Sequence, residues 1–171
     1  MERCRGVFMV ELWDAYDNHL NKVDGVTLIR GEAIPDGMYH LVCEIIVKHM
    51  DGTYLLMQRD FRKHLGGRWE VTAGGSALKG ENPLMCAIRE LNEETGLIAE
   101  DIKEIKKIVH DGHHTFYIEY LCVTDCDKDS IILQEGETVD YRWVDRDVLL
   151  EMREHEMASE RTMQLIKELH I

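Results

Sequence analysis

GSALKGENPLMCAIRELNEETGL, running from Gly75 to Leu97, is the stretch that decides how the rest of the chain is read. Glu81 to Thr95 carries helix signals: Pro83 suits a first turn, Leu84, Ala87, Ile88 and Leu91 recur as an apolar stripe, and Gly96 suits the position just past the last turn. At about 100° per residue, Glu90, Glu93 and Glu94 fall within an arc of roughly 100° beside that stripe. The expectation is a helix with one packed face and an anionic neighbour. Glu90 and Glu94, four apart and alike in charge, oppose an isolated helix by about 0.2–0.5 kcal/mol, and a bound cation would reverse that sign. Arg89 lies four residues before Glu93 and can pair with it, while Gly74-Gly75 lets the backbone approach a ligand closely. Hard divalent cations take oxygen ligands, and Mg²⁺ commonly combines a few carboxylates with substrate phosphate oxygens. The cluster therefore reads as a phosphate-metal site, with a solvated charged face as the plain alternative.

Upstream, Glu11 to Tyr16 and Val26 to Arg30 are strand-like runs separated by Asn18, Asn21, Asp24 and Gly25, which predicts a hairpin ending at Pro35-Asp36-Gly37. Leu41 to Val47 and Thr53 to Gln58 flank the turn Asp51-Gly52 and read as paired central strands. A basic loop from Arg59 to Arg68 leads to the short strand Trp69 to Thr72, which runs into Gly74-Gly75. Downstream, Ile105 to His110, Thr115 to Val123 and Asp140 to Val144 read as strands, and Arg146 to Arg153 and Ser159 to Leu169 as helices. Strands interrupted by one helix and closed by two more predict an α/β or α+β layered domain. The chain of 171 residues, without repeats, low-complexity tracts or a Pro/Gly/Ser linker, is expected to form one domain, residues 1–38 being a hairpin extension.

Composition narrows the function classes. A formal charge of -13 argues against binding nucleic-acid backbone or anionic membrane, both of which require a cationic surface. Phosphorylated ligands stay admissible, because a bound divalent metal can supply positive charge. No stretch reaches the roughly 18 apolar residues of a membrane helix, and the N-terminal apolar run is only Val7 to Val10, so a soluble, untargeted, cytoplasmic protein is expected. Cys4, Cys43, Cys86, Cys122 and Cys126 are odd in number and lack zinc-site spacing, and they are expected to be reduced buried thiols.

Gly75, five residues, Glu81, seven residues, then Arg89-Glu90-Leu91-Asn92-Glu93-Glu94-Thr95-Gly96-Leu97 match every fixed position of the Nudix box, so residues 75–97 resemble that family. Seven fixed identities at about 7% usage each recur by chance on the order of once in 10⁸ starting positions. Arg59, the Gly67-Arg68-Trp69 step and Arg142-Trp143-Val144 extend the likeness over most of the chain. The resemblance implies an α+β fold, an α/β/α sandwich with a mixed sheet between helices. It also implies Mg²⁺ (or Mn²⁺) held by the Gly74 carbonyl and the carboxylates of Glu90, Glu93 and Glu94, with Glu81 in support and Arg89 orienting the carboxylates.

The implied reaction is water attack at phosphorus in a phosphoanhydride, a pyrophosphohydrolase acting on a small-molecule nucleotide or diphosphate substrate. A homodimer is compatible with that reading. The proton acceptor in such enzymes is the glutamate after the box arginine, here Glu90, or a residue from a later loop, here Glu137 or Glu135. Arg59, at a strand end, can grip a terminal phosphate or simply stand exposed. Trp69, Phe116, Tyr117 and Tyr141 can offer stacking surfaces or belong to the core, and Arg59 and Trp69 are carried forward as candidate substrate-binding residues. His113 and His114 lack a partner at metal-ligand spacing and read as polar strand residues.

The hairpin, with Glu11-Leu12-Trp13-Asp14 and Arg30-Gly31-Glu32, resembles the isopentenyl-diphosphate-isomerase-like branch of the superfamily. An isomerase is one alternative to hydrolysis, and a catalytically silent ligand sensor is another. Isomerases carry a cysteine in the loop entering the box, whereas Ala73-Gly74-Gly75-Ser76 has none, and sensors typically lose box carboxylates, all of which remain here. The markers of the ADP-ribose, diadenosine-polyphosphate, NADH and coenzyme A branches are not met: no proline follows Pro83, and Gly112 to Thr115 stands where a tyrosine is expected. Nucleoside di- or triphosphates, unusual nucleotide derivatives and isoprenoid diphosphates remain as substrates.

Overall fold

The computed structural model describes residues 10–171, so Cys4 and the expected apolar run from residue 7 to residue 9 lie outside the described residues. β1 (Leu12–Tyr16) and β2 (Lys22–Ile29) form the predicted antiparallel hairpin, with β2 starting four residues before Val26. The main sheet is mixed. β3 (His40–His49) lies at its centre, parallel to β8 (Thr115–Thr124) from His40↔Thr115 to His49↔Thr124. β7 (Asp101–His110) is antiparallel to β8 and forms one edge. On the other side the sheet forks. β6 (Thr72–Ser76) pairs with β3 from Val42↔Ser76 to Ile46↔Thr72, while β4 (Tyr54–Arg59) pairs with β5 (Trp69–Glu70) and with β9 (Thr138–Val144).

That fork corrects one expectation. β3 and β4 are joined by the Asp51-Gly52 turn, closed by the Thr53 amide donating to Asp51 Oδ1, but they share only the register Lys48↔Tyr54. Past it, each strand takes a different partner. The predicted strand Trp69 to Thr72 is divided between β5 and β6, and the remaining strands match their predicted runs with shifted ends. β7 begins at Asp101 rather than Ile105, since its exposed edge of alternating Lys and Glu gives little apolar signal.

Alternation along β3 and β4 feeds two cores. Cys43, Ile45, Val47, Leu55 and Met57 meet α1 (Pro83–Thr95) through Cys86, Ala87 and Leu91. Ile46, Tyr54 and Leu56 meet α2 (Arg146–Glu151) and α3 (Glu160–Leu169) through Leu149, Leu165 and Ile166. A mixed sheet between helices, an α+β fold, is the result. α2 stops two residues short of Arg153 and is followed by a single turn at Glu154–Glu156. Among the described residues no helix is long and apolar enough to cross a membrane.

The hairpin is held to this body at several points. The Trp13 ring stacks on His40 at 4.3 Å, and buried Asp14 accepts from Lys22 Nζ at 2.7 Å and from the Gly80 amide at 2.8 Å. The Lys79 amide donates to Leu12 O at 2.8 Å, tying β1 to the loop that enters α1.

α1 is capped as its sequence predicts. Asn82 accepts from the Met85 amide at 2.9 Å, Pro83 opens the first turn, and Gly96, at φ 72°, donates to Asn92 O at 2.8 Å. Its orientation differs from the expected one. Leu84 and Ile88 are exposed, and the buried face comprises Cys86, Ala87, Glu90, Leu91, Glu94 and Thr95. The packed arc is rotated toward the carboxylates by roughly 60° on a helical wheel. The helix has turned two glutamates inward at the expense of two aliphatic side chains.

That orientation makes unequal predictions for two neighbouring apolar residues. Leu91→Ala, at a fully buried site, should cost about 2–5 kcal/mol by chemical denaturation. Ile88→Ser should stay within about 0.5 kcal/mol of wild type. Equal losses would place the helix the other way round.

Candidate active site

Two glycines in β6 determine how closely α1 can approach. A Cβ on Gly74 would lie 2.2 Å from Cys43 O in β3, and one on Gly75 would lie 2.5 Å from Glu90 Oε1. With no side chains there, the glutamate face of α1 rests directly on the β6 backbone. A cleft of about 630 Å³ opens alongside it. Its walls come from β6 and α1, from the hairpin, from the loop after β4, and from the ends of β3 and β8.

Arg89 organises the carboxylates. Its Nε donates to Glu81 Oε1 at 2.7 Å, Nη2 to Glu81 Oε2 at 2.9 Å and to Ser76 O at 3.1 Å, and Nη1 to Glu90 Oε1 at 2.7 Å and Glu93 Oε2 at 3.0 Å. One guanidinium thus spans the loop, the start of the box and two turns of helix, using the fork geometry that lysine lacks. Its hydrogen bonds hold the Glu81 carboxyl below the usual range. Glu94 has no such partner. It accepts from the Gly74 amide at 3.2 Å and is only 8% exposed; burial first, then repulsion from Glu90, pushes its carboxyl up to about 8. Burial also raises Glu90, and Arg89 opposes that shift.

Among the described residues, no three His, Cys, Asp or Glu side chains enclose a metal ion as they stand, because Glu90 and Glu93 are turned onto Arg89 and Glu94 onto the Gly74 amide. The donor chemistry nonetheless suits a hard dication: three carboxylates line one cleft beside Gly74, and burial, then repulsion from Glu90, disfavours the charged form of the most buried of them.

The remaining candidates divide. Arg59 lines the cleft, its Nη1 paired with Glu70 and its Nε donating to His64 O at 3.0 Å. Glu137 also lines the cleft, paired with Lys63, whereas Glu135 is not among the lining residues. Trp69 is not brought to the cleft: its ring lies under the Arg142 guanidinium at 4.2 Å and packs against the second core. Two-residue β5 turns it to the far face of the sheet, so it belongs with the packing aromatics. Phe116 is buried with its edge to Tyr39, and Tyr141 packs on the first core; Tyr117 alone of these aromatics lines the cleft. His113 stacks on His110 at 4.0 Å and His114 Nδ1 lies 3.2 Å from Met38 O, neither of them lining the cleft.

Several cleft residues were not foreseen as such: Lys63, Glu44 and His40, and Glu11 and Arg30 from the hairpin. Period-two alternation in β3 carries a usable signal, since His40, Val42 and Glu44 share a face and a glutamate inside a central strand is unusual. Nothing local announces Arg30, which reaches the cleft only because β2 folds beside it. Arg30 Nη1 donates to Glu11 Oε2 at 2.6 Å.

Comparison with known proteins agrees with this arrangement. Residues 38–166 match the family model of the NUDIX domain. An uncharacterised Nudix hydrolase of Listeria monocytogenes is 30% identical over 145 residues, covering 84% of this chain and 85% of the relative. A crystal structure from Deinococcus radiodurans superposes with a TM-score of 0.75 at 15% identity, covering 94% of this chain and 100% of the other. The NUDIX domain of Shewanella oneidensis NrtR, complexed with ADP ribose, gives a TM-score of 0.61 at 18% identity over 77% of this chain and 86% of that one. At these identities the two structures speak for the fold.

The raised Glu94 carboxyl makes stability depend on pH. Its value of about 8 lies above the ordinary 4.5, so the folded protein keeps a proton that the unfolded chain releases. Stability should therefore fall as pH rises through that window. In EDTA, Glu94→Gln should melt higher than wild type by a margin that widens from pH 5 to pH 8. A margin that stays flat with pH would show that Glu94 is not buried as described.

Proposed function

Because the chain belongs to the Nudix hydrolase family, whose enzymes act on phosphorus-containing acid anhydrides, we propose that it cleaves a diphosphate bond in a nucleotide or nucleoside-diphosphate derivative, with Mg²⁺ or Mn²⁺ as cofactor. The observation that supports this most is the Arg89 fork gathering Glu81, Glu90 and Glu93 beside buried Glu94 in a cleft. Glu90, Glu93, Glu94 and the Gly74 carbonyl would hold the ion. When bound, it supplies neutralisation of phosphate oxygens and activation of water.

The chain's own residues divide the remaining work. Arg59 and Lys63, on the wall facing α1, provide the positive charge that orients the diphosphate. Each is held by a carboxylate, Glu70 and Glu137, so neither must be ordered on binding. Glu90 takes the proton of the attacking water. Its Oε1 is committed to Arg89, which fixes the carboxylate, and Oε2 faces no donor among the described residues. Glu137, the other candidate base, is committed to Lys63 and is assigned to positioning that lysine.

The isomerase alternative gains nothing from the structure. Neither nearby cysteine lines the cleft: Cys43 Sγ donates to Pro83 O at 3.2 Å and Cys86 Sγ to Gly75 O at 3.6 Å, and both are fully buried.

A phosphate-release screen over nucleotides and their derivatives, with Mg²⁺ or Mn²⁺, tests the reading. Wild type should turn over at least one compound, and Glu93→Gln should lose that activity while keeping its fold. Glu90→Gln should fall by at least about 10²-fold and Glu137→Gln by less than about tenfold. A Glu137→Gln loss as large as that of Glu90→Gln, rescued by raising pH, would reverse the two roles, and a fully active Glu93→Gln would overturn the assignment.

A further inference from the structure

At the centre of the sheet, Glu44 in β3 stands in register with Glu119 in β8 on one side and with Gly74 in β6 on the other. Two carboxylates on adjacent central strands repel each other, and α3 supplies the group between them. Arg161 Nη2 donates to Glu44 Oε2 at 2.6 Å, Nη1 is paired with Glu119, and the guanidinium lies 4.0 Å over the Tyr117 ring. Glu119 is completely buried, so Arg161 is required there as its counter-charge.

Glu119 alone would account for that arginine. Glu44 shares that pairing and differs from Glu119 in where it ends: it lines the cleft, as does Tyr117. Glu44 shares the cleft lining with Gly74 and the box carboxylates and with His40 and Thr115, which hydrogen-bond each other at 2.9 Å. Tyr117 has one ring face covered by Arg161, so that face is closed to a stacking ligand. The lining of this region is polar almost throughout, Val42 and Leu78 being its aliphatic members. A hydrocarbon tail would find little apolar surface there, whereas a group bearing hydroxyl or N–H donors would find a fixed carboxylate acceptor.

Building on the diphosphate hydrolysis proposed above, we propose that Glu44 is a specificity-determining residue. It accepts hydrogen bonds from a ribose- or base-like group carried by the diphosphate, and Arg161 is its positioning residue. Isoprenoid diphosphates are thereby disfavoured as substrates. Arg161 acts through Glu44 and Tyr117 and does not itself line the cleft.

Thermal-shift titrations in Mg²⁺ test this with three kinds of probe: ribonucleoside diphosphates and ADP-ribose, geranyl diphosphate, and inorganic pyrophosphate, which has the anhydride but no organic group. At least one nucleotide probe should bind wild type more tightly than geranyl diphosphate does. Glu44→Gln and Arg161→Lys should each weaken that nucleotide by about ten- to a hundredfold and leave pyrophosphate binding within about threefold of wild type. Should Arg161→Lys melt early, Arg161→Met combined with Glu119→Gln removes the buried charge pair and leaves Glu44 unheld, and it should give the same nucleotide-specific loss. Geranyl diphosphate binding as tightly as any nucleotide, unchanged nucleotide binding in the variants, or equal loss of nucleotide and pyrophosphate would overturn the proposal. Phosphate release separates the two readings. Nucleotides bound through Glu44 but never cleaved would defeat the proposed hydrolysis alone, and nucleotides cleaved without regard to Glu44 would defeat this inference alone.

Discussion

The contact of one guanidinium with three glutamates is the interaction on which the cleft depends. Glu81, Glu90, Glu93 and Glu94 crowd a single loop and helix, and like charges at helical spacing repel. Arg89 converts that repulsion into an ordered set by taking Glu81 with two donors and Glu90 and Glu93 with a third. Its own proton is held more tightly than in an ordinary arginine as a result, chiefly through Glu81. Glu94 is left outside the arrangement, and burial first, then repulsion from Glu90, raises its carboxyl. A protein selected only for stability would gain by replacing Glu94 with a neutral residue. Under the proposed function, a bound cation would account for its presence.

Holding those carboxylates in place requires close contact between helix and strand, and the rest of the fold provides it. Gly74 and Gly75 permit α1 to rest on β6, Cys43 and Cys86 fill the space beneath, and Asn82 and Gly96 fix the two ends of the helix. The hairpin braces the entry loop through Asp14 and the Gly80 amide while delivering Glu11 and Arg30 to the opposite wall. From the other face of the sheet, α3 supports the cleft residue Glu44 through Arg161. Elements far apart in the chain thus converge around one short stretch of β6.

Much of this was legible from residue order, for identifiable reasons. Capping residues act locally, so Asn82-Pro83 and Gly96 located α1 to within two residues, and the fixed spacing of Glu81, Arg89, Glu90, Glu93 and Glu94 pointed to the carboxylate site. What failed was whatever depended on distant partners. The apolar periodicity of Leu84 and Ile88 suggested a packed face that the glycines of β6 and the thiol of Cys86 rotated away. The β3–β4 hairpin looked complete, but β6 and β9 compete for the same strand edges and open the fork. Trp69 looked like a ligand surface because aromatics serve both purposes, and only the sheet's handedness of facing decided for the core. Lys63, Arg30 and Arg161 could not be assigned from their neighbours, since each acts on a residue more than a strand away.

The claim at the centre is that α1 carries a charged face that opposes its own stability until a divalent cation is bound. Melting temperature with millimolar Mg²⁺ against EDTA, measured for wild type and for Glu94→Gln at the same pH, tests it directly. A ligand that binds only the folded state stabilises by mass action, and about 2–4 °C is gained per kcal/mol in a chain of this size. Wild type should therefore melt several degrees higher in Mg²⁺, and Glu94→Gln should barely respond. Coincident curves for wild type with and without Mg²⁺ would mean that the glutamates of α1 form no cation site.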